Sequence, residues 1–445
     1  TQVYIGYFLK KNYKDLSNAI RFLSIDAVQK ANSGHPGMPM GMADVATILF
    51  KHFLKYNPKN PNWINRDRFV LSAGHGSMLL YSLLFLTGYK SISLDKIKKF
   101  RQLNSICAGH PEYHPGTGIE TTTGPLGQGI ANSVGFAMAE EIQRANFGKS
   151  IVDHYTYVFA GDGCLMEGVS QEAITIAGRQ KLSKLIVFWD NNSITIDGKV
   201  ELSDNTNQVE RFRSSGWHVL EIDGHNPVEI DRAIIEAKKS NKPTMIACET
   251  HIALGSSAQD TSKGHGALTD SKLIEETKKV YGWSQEKFYV PPEVKKAWEE
   301  LGKKGQKEKV SWENRYTSLS SKRRSEFSRM HSMEVPPKLA REINKFKKSI
   351  SIEQPKVATR KSSEMILDVI NPIMTETIGG SADLSGSNNT KSSDMTIFDI
   401  DNRKGRYIHW GVREHGMAAA MNGMALHGGL RPYGGTFMCF TDYAR

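Results

Sequence analysis

The stretch Tyr157-Val158-Phe159-Ala160-Gly161-Asp162-Gly163, followed after a segment of helical length by Leu185-Ile186-Val187-Phe188-Trp189-Asp190-Asn191-Asn192, decides the fold of this chain. Both parts begin with an apolar run of β-branched and aromatic residues. This pattern predicts a βαβ unit with two parallel strands. Ligands of open parallel sheets bind outside the carboxyl ends of the strands, so we expect Asp162 and Asn192 to face one crevice.

The alternation of strand and helix patterns continues on both sides of this unit and predicts an α/β protein with parallel sheets. The segment from Ser33 to Gly37, which contains two glycines and a proline, is expected to end a helix. Residues 1–15 are expected to be irregular, as in a terminal tail. The other expected elements are helices at 16–31, 43–53, 130–145, 362–369 and 414–426, and strands at 69–72, 217–222 and 244–248, with one more leading into 379–383.

Charge and proline positions suggest two tandem α/β domains. Residues 295–361 carry 19 Lys and Arg and 8 Glu, so the net charge of this stretch is 19 − 8 = +11, the same as that of the whole chain. A single basic stretch without an RNA-binding or zinc-finger signature favours a solvated connector over a nucleic-acid arm. We therefore predict a first open, mostly parallel α/β domain at 1–315, a basic helical linker at 316–355 and a second α/β domain at 356–445, with helices on both faces of each sheet.

Other features of composition exclude several classes of protein. No apolar run approaches the roughly 20 residues of a membrane span. The first residues lack a charged segment followed by an apolar one, so we expect no secretory signal. The cysteines are scattered singly, which argues against a disulfide framework or a zinc site and favours the cytoplasm. They are Cys107, Cys164, Cys248 and Cys439.

Asp162 and Asn192 are candidate ligands of a hard divalent cation. Mg²⁺ prefers six oxygen ligands and commonly takes one or two from side chains and the others from phosphates and water. Gly163 would let the backbone approach a bound diphosphate, and the following helix would offer N–H groups and the positive end of its dipole. Gly-Asp-Gly and Asn-Asn are ordinary turns in most sequences, and it is their positions after two strands of one unit that make Asp162 and Asn192 candidate ligands.

Together with segments elsewhere, this pattern resembles the thiamine diphosphate binding signature and, more specifically, the transketolase family. The similarity covers nearly the whole chain after about residue 15, and the motifs occur in the family's order. They are Ser33–Gly37, Leu71–Gly76, Gly109–Glu112, Thr122–Gly129, Gly161–Gly163 with Glu167-Gly168, Val357–Arg360, Gly380–Leu384, Arg413–His415 and Pro432–Phe437.

The resemblance implies a thiamine diphosphate-binding fold, a set of cofactor contacts and a metal site. Mg²⁺, or Ca²⁺ in its place, would be held by Asp162, Asn192 and the carbonyl of Ile194. Imidazoles suit a diphosphate because they donate N–H groups without the fixed charge of lysine. The implied cofactor-binding residues are His75, Gly124, Pro125, Leu126, Gly163, Asn192, His265, Asp383, Glu414 and Phe440.

The resemblance also implies an activity, the transfer of a two-carbon ketol unit from a ketose phosphate to an aldose phosphate in the pentose phosphate pathway, and roles for several residues in it. Glu414 would reach across a homodimer interface to the cofactor's pyrimidine ring, and Phe440 would stack on that ring. His35 and His110 would bind the reacting hydroxyl and carbonyl groups and move protons. The implied catalytic residues are Glu414, His110, His35 and Glu167, and the implied sugar phosphate contacts are His35, His265, Arg360 and Ser387.

Alternatives remain open at this point. The shared cofactor motifs also fit a dihydroxyacetone synthase or another thiamine diphosphate enzyme, and an inactive cofactor-binding fragment is a further reading. Family members continue beyond the motif that ends this chain, so we expect the second domain to be incomplete. The family usually has a proline before Leu268, and residues 252–264 match it loosely. No membrane or nucleic-acid partner is expected.

Overall fold

The computed structural model describes residues 2–444, without the side chains of residues 2–12, and contains eight strands and seventeen α-helices in this range. The strands are β1 Arg68–Leu71, β2 Thr156–Gly161, β3 Leu185–Asn191, β4 His218–Asp223, β5 Thr244–Glu249, β6 Thr377–Ser381, β7 Tyr407–His409 and β8 Arg431–Pro432. The helices are α1 Gln2–Ala31, α2 Gly37–Ile48, α3 Ser77–Thr87, α4 Leu94–Ile97, α5 Gln128–Phe147, α6 Asp162–Met166, α7 Gly168–Arg179, α8 Gln208–Ser214, α9 Pro227–Ala237, α10 Ser262–His265, α11 Ser271–Val280, α12 Pro292–Thr317, α13 Ser321–Ser332, α14 Lys338–Glu353, α15 Thr359–Ile370, α16 Ser385–Asn388 and α17 Glu414–His427.

The chain divides into two compact units, each assembled from separate segments. The first unit contains residues 1–130, 154–171 and 183–311, and the second contains residues 131–153, 172–182 and 312–445. The predicted domains at 1–315, 316–355 and 356–445 are continuous ranges and so do not have the same boundaries as these spatial units. The predicted boundaries stay a prediction.

The first unit is built on a five-stranded parallel sheet in the order β1-β2-β3-β5-β4. The predicted βαβ unit is confirmed: β2 pairs with β3 in parallel, and Val158 lies opposite Val187. Because all five strands are parallel, their carboxyl ends lie at one edge of the sheet. The loops that follow β1, β2, β3 and β5 therefore begin at that edge.

The central strands are buried because helices cover the sheet, which is why they read as continuous apolar runs rather than as an alternating pattern. Every residue of β2 from Thr156 to Ala160 is buried. On this sheet the Phe159 ring meets Phe69 and Phe188 edge to face, with ring centroids 5.0 and 5.2 Å apart. Such aromatic contacts each add roughly 0.5–1.5 kcal/mol beyond the burial of their area.

The amino-terminal helices differ from the sequence prediction. Residues 1–15 were expected to be irregular, but α1 begins at Gln2 and continues to Ala31. The second helix was expected at 43–53; it begins at Gly37, directly after Pro36, and its last turn, Leu49–Phe53, is π-helical. Proline is well tolerated at a helix start, so Pro36 separates the two helices and also initiates the second one.

The second unit contains a three-stranded parallel sheet in the order β7-β6-β8. Gly379 of β6 lies opposite Tyr407 of β7, and Thr377 lies opposite Arg431 of β8. The predicted α/β class with parallel sheets is thus confirmed in both units. The basic stretch at 295–361 is helical, as expected: it contains nearly all of α12 together with α13 and α14.

Two glycines allow very close packing of α5 and α17 within the second unit. A Cβ atom placed on Gly135 would overlap the carbonyl oxygen of Ala420, and one placed on Gly423 would overlap the carbonyl oxygen of Asn132. The two backbones therefore touch directly. This contact fixes the position of α17, whose first residue is Glu414.

None of the helices between residues 2 and 444 combines the length and the apolar character that crossing a membrane requires.

Candidate active site

A cavity of about 350 Å³ lies in the first unit at the carboxyl edge of the sheet. It contains ten of the residues selected from the sequence, which come from segments separated by up to 230 positions. These ten are His35, His75, His110, Gly124, Leu126, Asp162, Gly163, Asn192, Ile194 and His265. Met38, Ile196 and Ile252 supply an apolar part of the lining.

Three imidazoles form a compact cluster in this cavity. The rings of His75 and His265 stack with centroids 5.0 Å apart, and His35 meets them edge on at 5.3 and 5.6 Å. The Nδ1 atoms of His35 and His265 are buried and have no hydrogen-bond partner among the described residues. Buried polar atoms are normally paired, so these two nitrogens indicate that a polar ligand completes the cluster.

The environment keeps the imidazoles of this cavity uncharged at neutral pH. Burial, together with the nearby His265, lowers the pKa of His35 to about 4 and that of His75 to about 3. Burial also lowers the pKa of His265 and of His110, and for His110 the positive charge of Arg101 acts in the same direction. A neutral imidazole has one donor and one acceptor nitrogen, and it gains a proton readily when an anion binds beside it.

His75 is expected to make stability depend on pH. Its folded pKa lies below the value of about 6.5 of an unfolded histidine, so its contribution is complete above pH 6.5 and is lost as the pH falls. Between pH 7 and pH 5, the free energy of unfolding of the wild type should fall by about 2 kcal/mol more than that of His75→Asn. Urea denaturation at the two pH values measures this difference. His114→Asn alters an exposed ring and serves as the control: its free energy of unfolding should fall by as much as that of the wild type. Equal losses in the wild type and in His75→Asn would refute the prediction.

Asp162 lies at the start of α6, directly after β2, and its side chain is largely buried. The indole Nε1–H of Trp189 donates a hydrogen bond of 3.0 Å to Oδ1. Burial raises the pKa of Asp162 to about 6, although the Trp189 hydrogen bond opposes the shift. A bound cation would offset the loss of hydration that disfavours this buried negative charge.

Asp190 is a second buried carboxylate beside Asp162, and the sequence analysis assigned it no role. Burial and then the charge of Asp162 raise its pKa to about 7, against the hydrogen bond from Thr250. The amide of Asn192 donates to Asp190 at 3.0 Å, and its oxygen accepts from the backbone N–H of Ile194 at 3.0 Å. Asp190 thereby orients the amide oxygen of Asn192 and the main chain of Ile194.

These oxygens fit a hard divalent cation. Asp162 offers a carboxylate, Asn192 an amide oxygen and Ile194 a main-chain carbonyl, and all three residues line the same cavity. Among the described residues, no three His, Cys, Asp or Glu side chains are arranged to hold a metal ion. A cation here would therefore depend on amide, main-chain and phosphate oxygens beside a single carboxylate, a set typical of Mg²⁺.

A second cavity of about 500 Å³ opens next to the first and shares Asp162, Asn192 and Ile194 with it. Its other walls are mainly polar and include Lys199 and Asp204. The oxygen-bearing residues thus lie between a histidine-lined space and a polar space.

Some predicted residues shape the first cavity through their backbone, and others lie outside it. A Cβ atom on Gly163 would lie 2.8 Å from the Cδ1 atom of Leu126, so the absence of a side chain at this position leaves room for that leucine in the cavity wall. Pro125 is exposed and does not line the cavity. Glu167 is also exposed, in the short turn between α6 and α7.

The second unit contains the other selected residues. Glu414 is buried at the start of α17 and accepts a hydrogen bond of 2.9 Å from the hydroxyl of Thr436. Two residues later, the N–H of Gly416 donates to the carboxylate of Glu172 at 2.6 Å. The contact of Glu172 with Gly416 was not predicted, since nothing in the sequence around Glu172 distinguishes it from an acidic residue on the surface of α7.

The remaining selected residues of this unit are accessible. Asp383 follows β6 and has a left-handed backbone with φ of 62°, and its side chain is exposed. Arg360 and Ser387, in α15 and α16, are exposed as well. The ring of Phe440 is 36% exposed and stacks on Phe437 with centroids 6.1 Å apart. These side chains are free to contact a ligand.

Comparison with known families gives matches over most of the chain. Residues 12–336 match the family described as "Transketolase, thiamine diphosphate binding domain", and residues 355–445 match "Transketolase, pyrimidine binding domain". A transketolase of Rhodobacter capsulatus is 59% identical over 431 residues, covering 97% of this chain and 64% of the relative. A transketolase of Sinorhizobium medicae is 51% identical, covering 97% of this chain and 62% of the relative. The chain thus spans less than two thirds of the length of these curated relatives.

Solved structures agree with the sequence matches. Transketolase from Leishmania mexicana superimposes with a TM-score of 0.92 at 42% identity, covering 97% of this chain and 65% of that chain. Transketolase from Pichia stipitis, in complex with sedoheptulose 7-phosphate, gives a TM-score of 0.91 at 43% identity, with the same coverage.

Proposed function

This chain belongs to the transketolase family, and we propose that it binds thiamine diphosphate and transfers a two-carbon ketol unit from a ketose phosphate to an aldose phosphate. One observation carries the proposal: four neutral imidazoles and the oxygen donors of Asp162, Asn192 and Ile194 line one cavity. When bound, thiamine diphosphate supplies a nucleophilic carbon and an electron sink, which ordinary side chains lack.

Mg²⁺, or Ca²⁺ in its place, is the proposed metal. Asp162, Asn192 and the carbonyl of Ile194 would hold it, and Trp189 and Asp190 would keep the first two side chains in place. The diphosphate would occupy the side of the cavity formed by His75, His265 and Gly163. The stacked imidazoles can donate N–H groups there, and Gly163 gives the backbone room for a close approach.

The substrate would lie against His35 and His110, which line the same cavity. Neutral imidazoles can hold hydroxyl and carbonyl oxygens of a sugar and move a proton between them. Arg360, Ser387 and His265 would hold the substrate phosphate, for which the planar guanidinium of Arg360 is suited. The sugar phosphate in the Pichia stipitis structure supports this class of substrate.

We further propose that a second copy of the chain completes each site, so that the active enzyme is a homodimer. The part of the cavity lining that the structure describes includes apolar side chains but no Phe, Tyr or Trp, so an aromatic contact to a pyrimidine ring would have to come from elsewhere. Phe440 is an exposed ring of the second unit, and Glu414 is a buried carboxylate of that unit. These two residues, with Asp383, Gly124 to Leu126 and Glu167, would contact or support the cofactor ring.

Steady-state assays test the proposed reaction. With thiamine diphosphate and Mg²⁺, the purified protein should transfer ketol units from xylulose 5-phosphate to ribose 5-phosphate. Transfer to formaldehyde alone would instead indicate a dihydroxyacetone synthase. Calorimetric binding of the cofactor without any transfer would leave only a cofactor-binding role and refute the proposed activity.

The location of the protein is proposed to be cytoplasmic. All four cysteines are free thiols, and Cys107, Cys164 and Cys248 are buried, which suits a reducing compartment.

A further inference from the structure

Arg101 connects two segments that carry histidines of the cavity, and no motif of the sequence analysis included it. It follows α4 on a loop, with a left-handed backbone of φ 61°. Its backbone N–H donates to the carbonyl of Cys107 at 2.9 Å. Its guanidinium Nη1 donates to the hydroxyl of Ser33 at 3.0 Å, two residues before His35. One residue thus contacts both the segment that leads to His35 and the segment that leads to His110.

The guanidinium also packs on the backbone next to His110. A Cβ atom on Gly109 would lie 3.1 Å from the Cζ of Arg101, so the absence of a side chain at position 109 allows this contact. The same segment is held from α3, where Ser77 donates to the carbonyl of Gly109 at 2.8 Å. The backbone beside His110 is therefore contacted by both Ser77 and Arg101.

The charge of Arg101 acts on both imidazoles. It is the main influence after burial on the pKa of His110, and it follows burial and His265 in its effect on His35. The Nε atom of Arg101 is buried without a hydrogen-bond partner in the described part of the chain. Among the described residues, no carboxylate lies within hydrogen-bond distance of this guanidinium, so its positive charge is not paired with a negative one. The other titratable groups that face His35 are His75, His265 and His110.

We infer that Arg101 is a positioning residue for the ketol transfer: its planar fork holds the Ser33 and Gly109 segments together, and its fixed positive charge faces His35 and His110. This inference rests on the proposed function, in which these two histidines bind the sugar. A purely structural arginine would affect stability only. A positioning arginine also sets the protonation of the two imidazoles and the affinity for the sugar.

The two parts of the role can be separated by two variants. Arg101→Gln removes the charge and retains an amide that can donate to Ser33, and Arg101→Lys retains the charge and loses the fork. Lys99→Gln removes the same charge from an exposed position two residues away and serves as the matched control.

Carbethoxylation by diethylpyrocarbonate, followed by mass spectrometry of the His35 and His110 peptides, reports the charge effect without any turnover. Only the neutral imidazole reacts, so the pH dependence of the rate gives the pKa of each ring. Arg101→Gln should shift the midpoints upward by about 0.5–1 pH unit, and Arg101→Lys and Lys99→Gln should leave them within about 0.3 unit of the wild type. Unchanged midpoints in Arg101→Gln would overturn the inference. If Arg101→Gln does not fold, Arg101→Met provides the same comparison.

Kinetics report the effect of the fork. In the holoenzyme, Arg101→Lys should raise KM for xylulose 5-phosphate by about 10-fold while the Kd of thiamine diphosphate stays within about 2-fold. An unchanged KM would overturn the positioning role. A wild-type protein without ketol transfer would refute the proposed function, and the carbethoxylation result would still decide whether Arg101 controls the histidines.

Discussion

Glu414→Gln is expected to lower kcat by at least about 100-fold while changing the affinity for thiamine diphosphate by less than about 5-fold. The carboxylate is buried at the start of α17 and is held by Thr436. Glutamine has the same shape and still offers an oxygen to Thr436, but it cannot exchange a proton with a ring nitrogen. Loss of a positioned acid–base group typically costs 10²–10⁴-fold in rate. Steady-state assays with saturating cofactor, and calorimetry for the cofactor Kd, measure the two effects.

Glu342→Gln is a matched control for this substitution. It makes the same chemical change in the second unit, on a carboxylate of α14 that pairs with Arg341 and Lys345 at the surface. Its kcat should equal that of the wild type within about 2-fold. A Glu414→Gln protein with nearly normal kcat would show that the proton transfer assigned to Glu414 takes place elsewhere.

Asp162→Ala is expected to raise the Kd of thiamine diphosphate, measured calorimetrically in the presence of Mg²⁺, by about 100-fold or more. Asp162 is the only carboxylate proposed to contact the metal directly. Changes to residues that merely support metal ligands already cost 10–100-fold in affinity, so removal of a ligand should cost at least as much. The loss should be largest at low Mg²⁺, because the variant needs more metal to form the same complex.

Asp204→Asn tests whether this effect is specific. Asp204 lines the neighbouring polar cavity, and its charge acts on Asp162, but its own carboxylate accepts hydrogen bonds from Thr206 and Gln208. The Kd of the cofactor in this variant should remain within about 3-fold of the wild type. Equal losses in Asp162→Ala and Asp204→Asn would indicate a general electrostatic effect, and unchanged binding in Asp162→Ala would exclude the proposed metal site.

The strands of the first unit could be predicted because parallel, buried strands have a simple local signature. β2 and β3 are short apolar runs, and each is followed by a polar residue that the sheet brings to one edge. That geometry requires no long-range information beyond the parallel arrangement. Asp162 and Asn192 could therefore be placed in one crevice from the local sequence alone.

The histidine cluster could not be deduced from local patterns. Its residues lie in four segments that are far apart in the sequence, and no periodicity relates such distant positions. They are His35, His75, His110 and His265. Only the resemblance to a family selected them. Asp190, Glu172 and Arg101 were missed for a related reason: each acts by holding another residue, and such contacts leave no motif in a single sequence.

The first half of the amino-terminal helix was missed although apolar residues such as Ile5, Leu9 and Leu16 recur there at near-helical spacing. Tertiary contacts outweigh intrinsic propensity in most helices, and such contacts are not visible in a local window. The early start of α2 was missed for a different reason: its first turns contain two glycines and a proline, Gly37, Pro39 and Gly41. These residues normally indicate a loop, but proline is accepted in the first turn.

The backbone contact between α5 and α17 has a consequence for engineering this protein. Replacement of a helical glycine by alanine is a standard way to raise thermal stability, because alanine reduces the conformational freedom of the unfolded chain. At Gly135 and Gly423 the same replacement would force the two helices apart. Since α17 begins with Glu414, that displacement would also move the proposed acid–base group. Designs that favour helix formers should therefore leave these two positions unchanged, however strongly their helical setting argues for alanine.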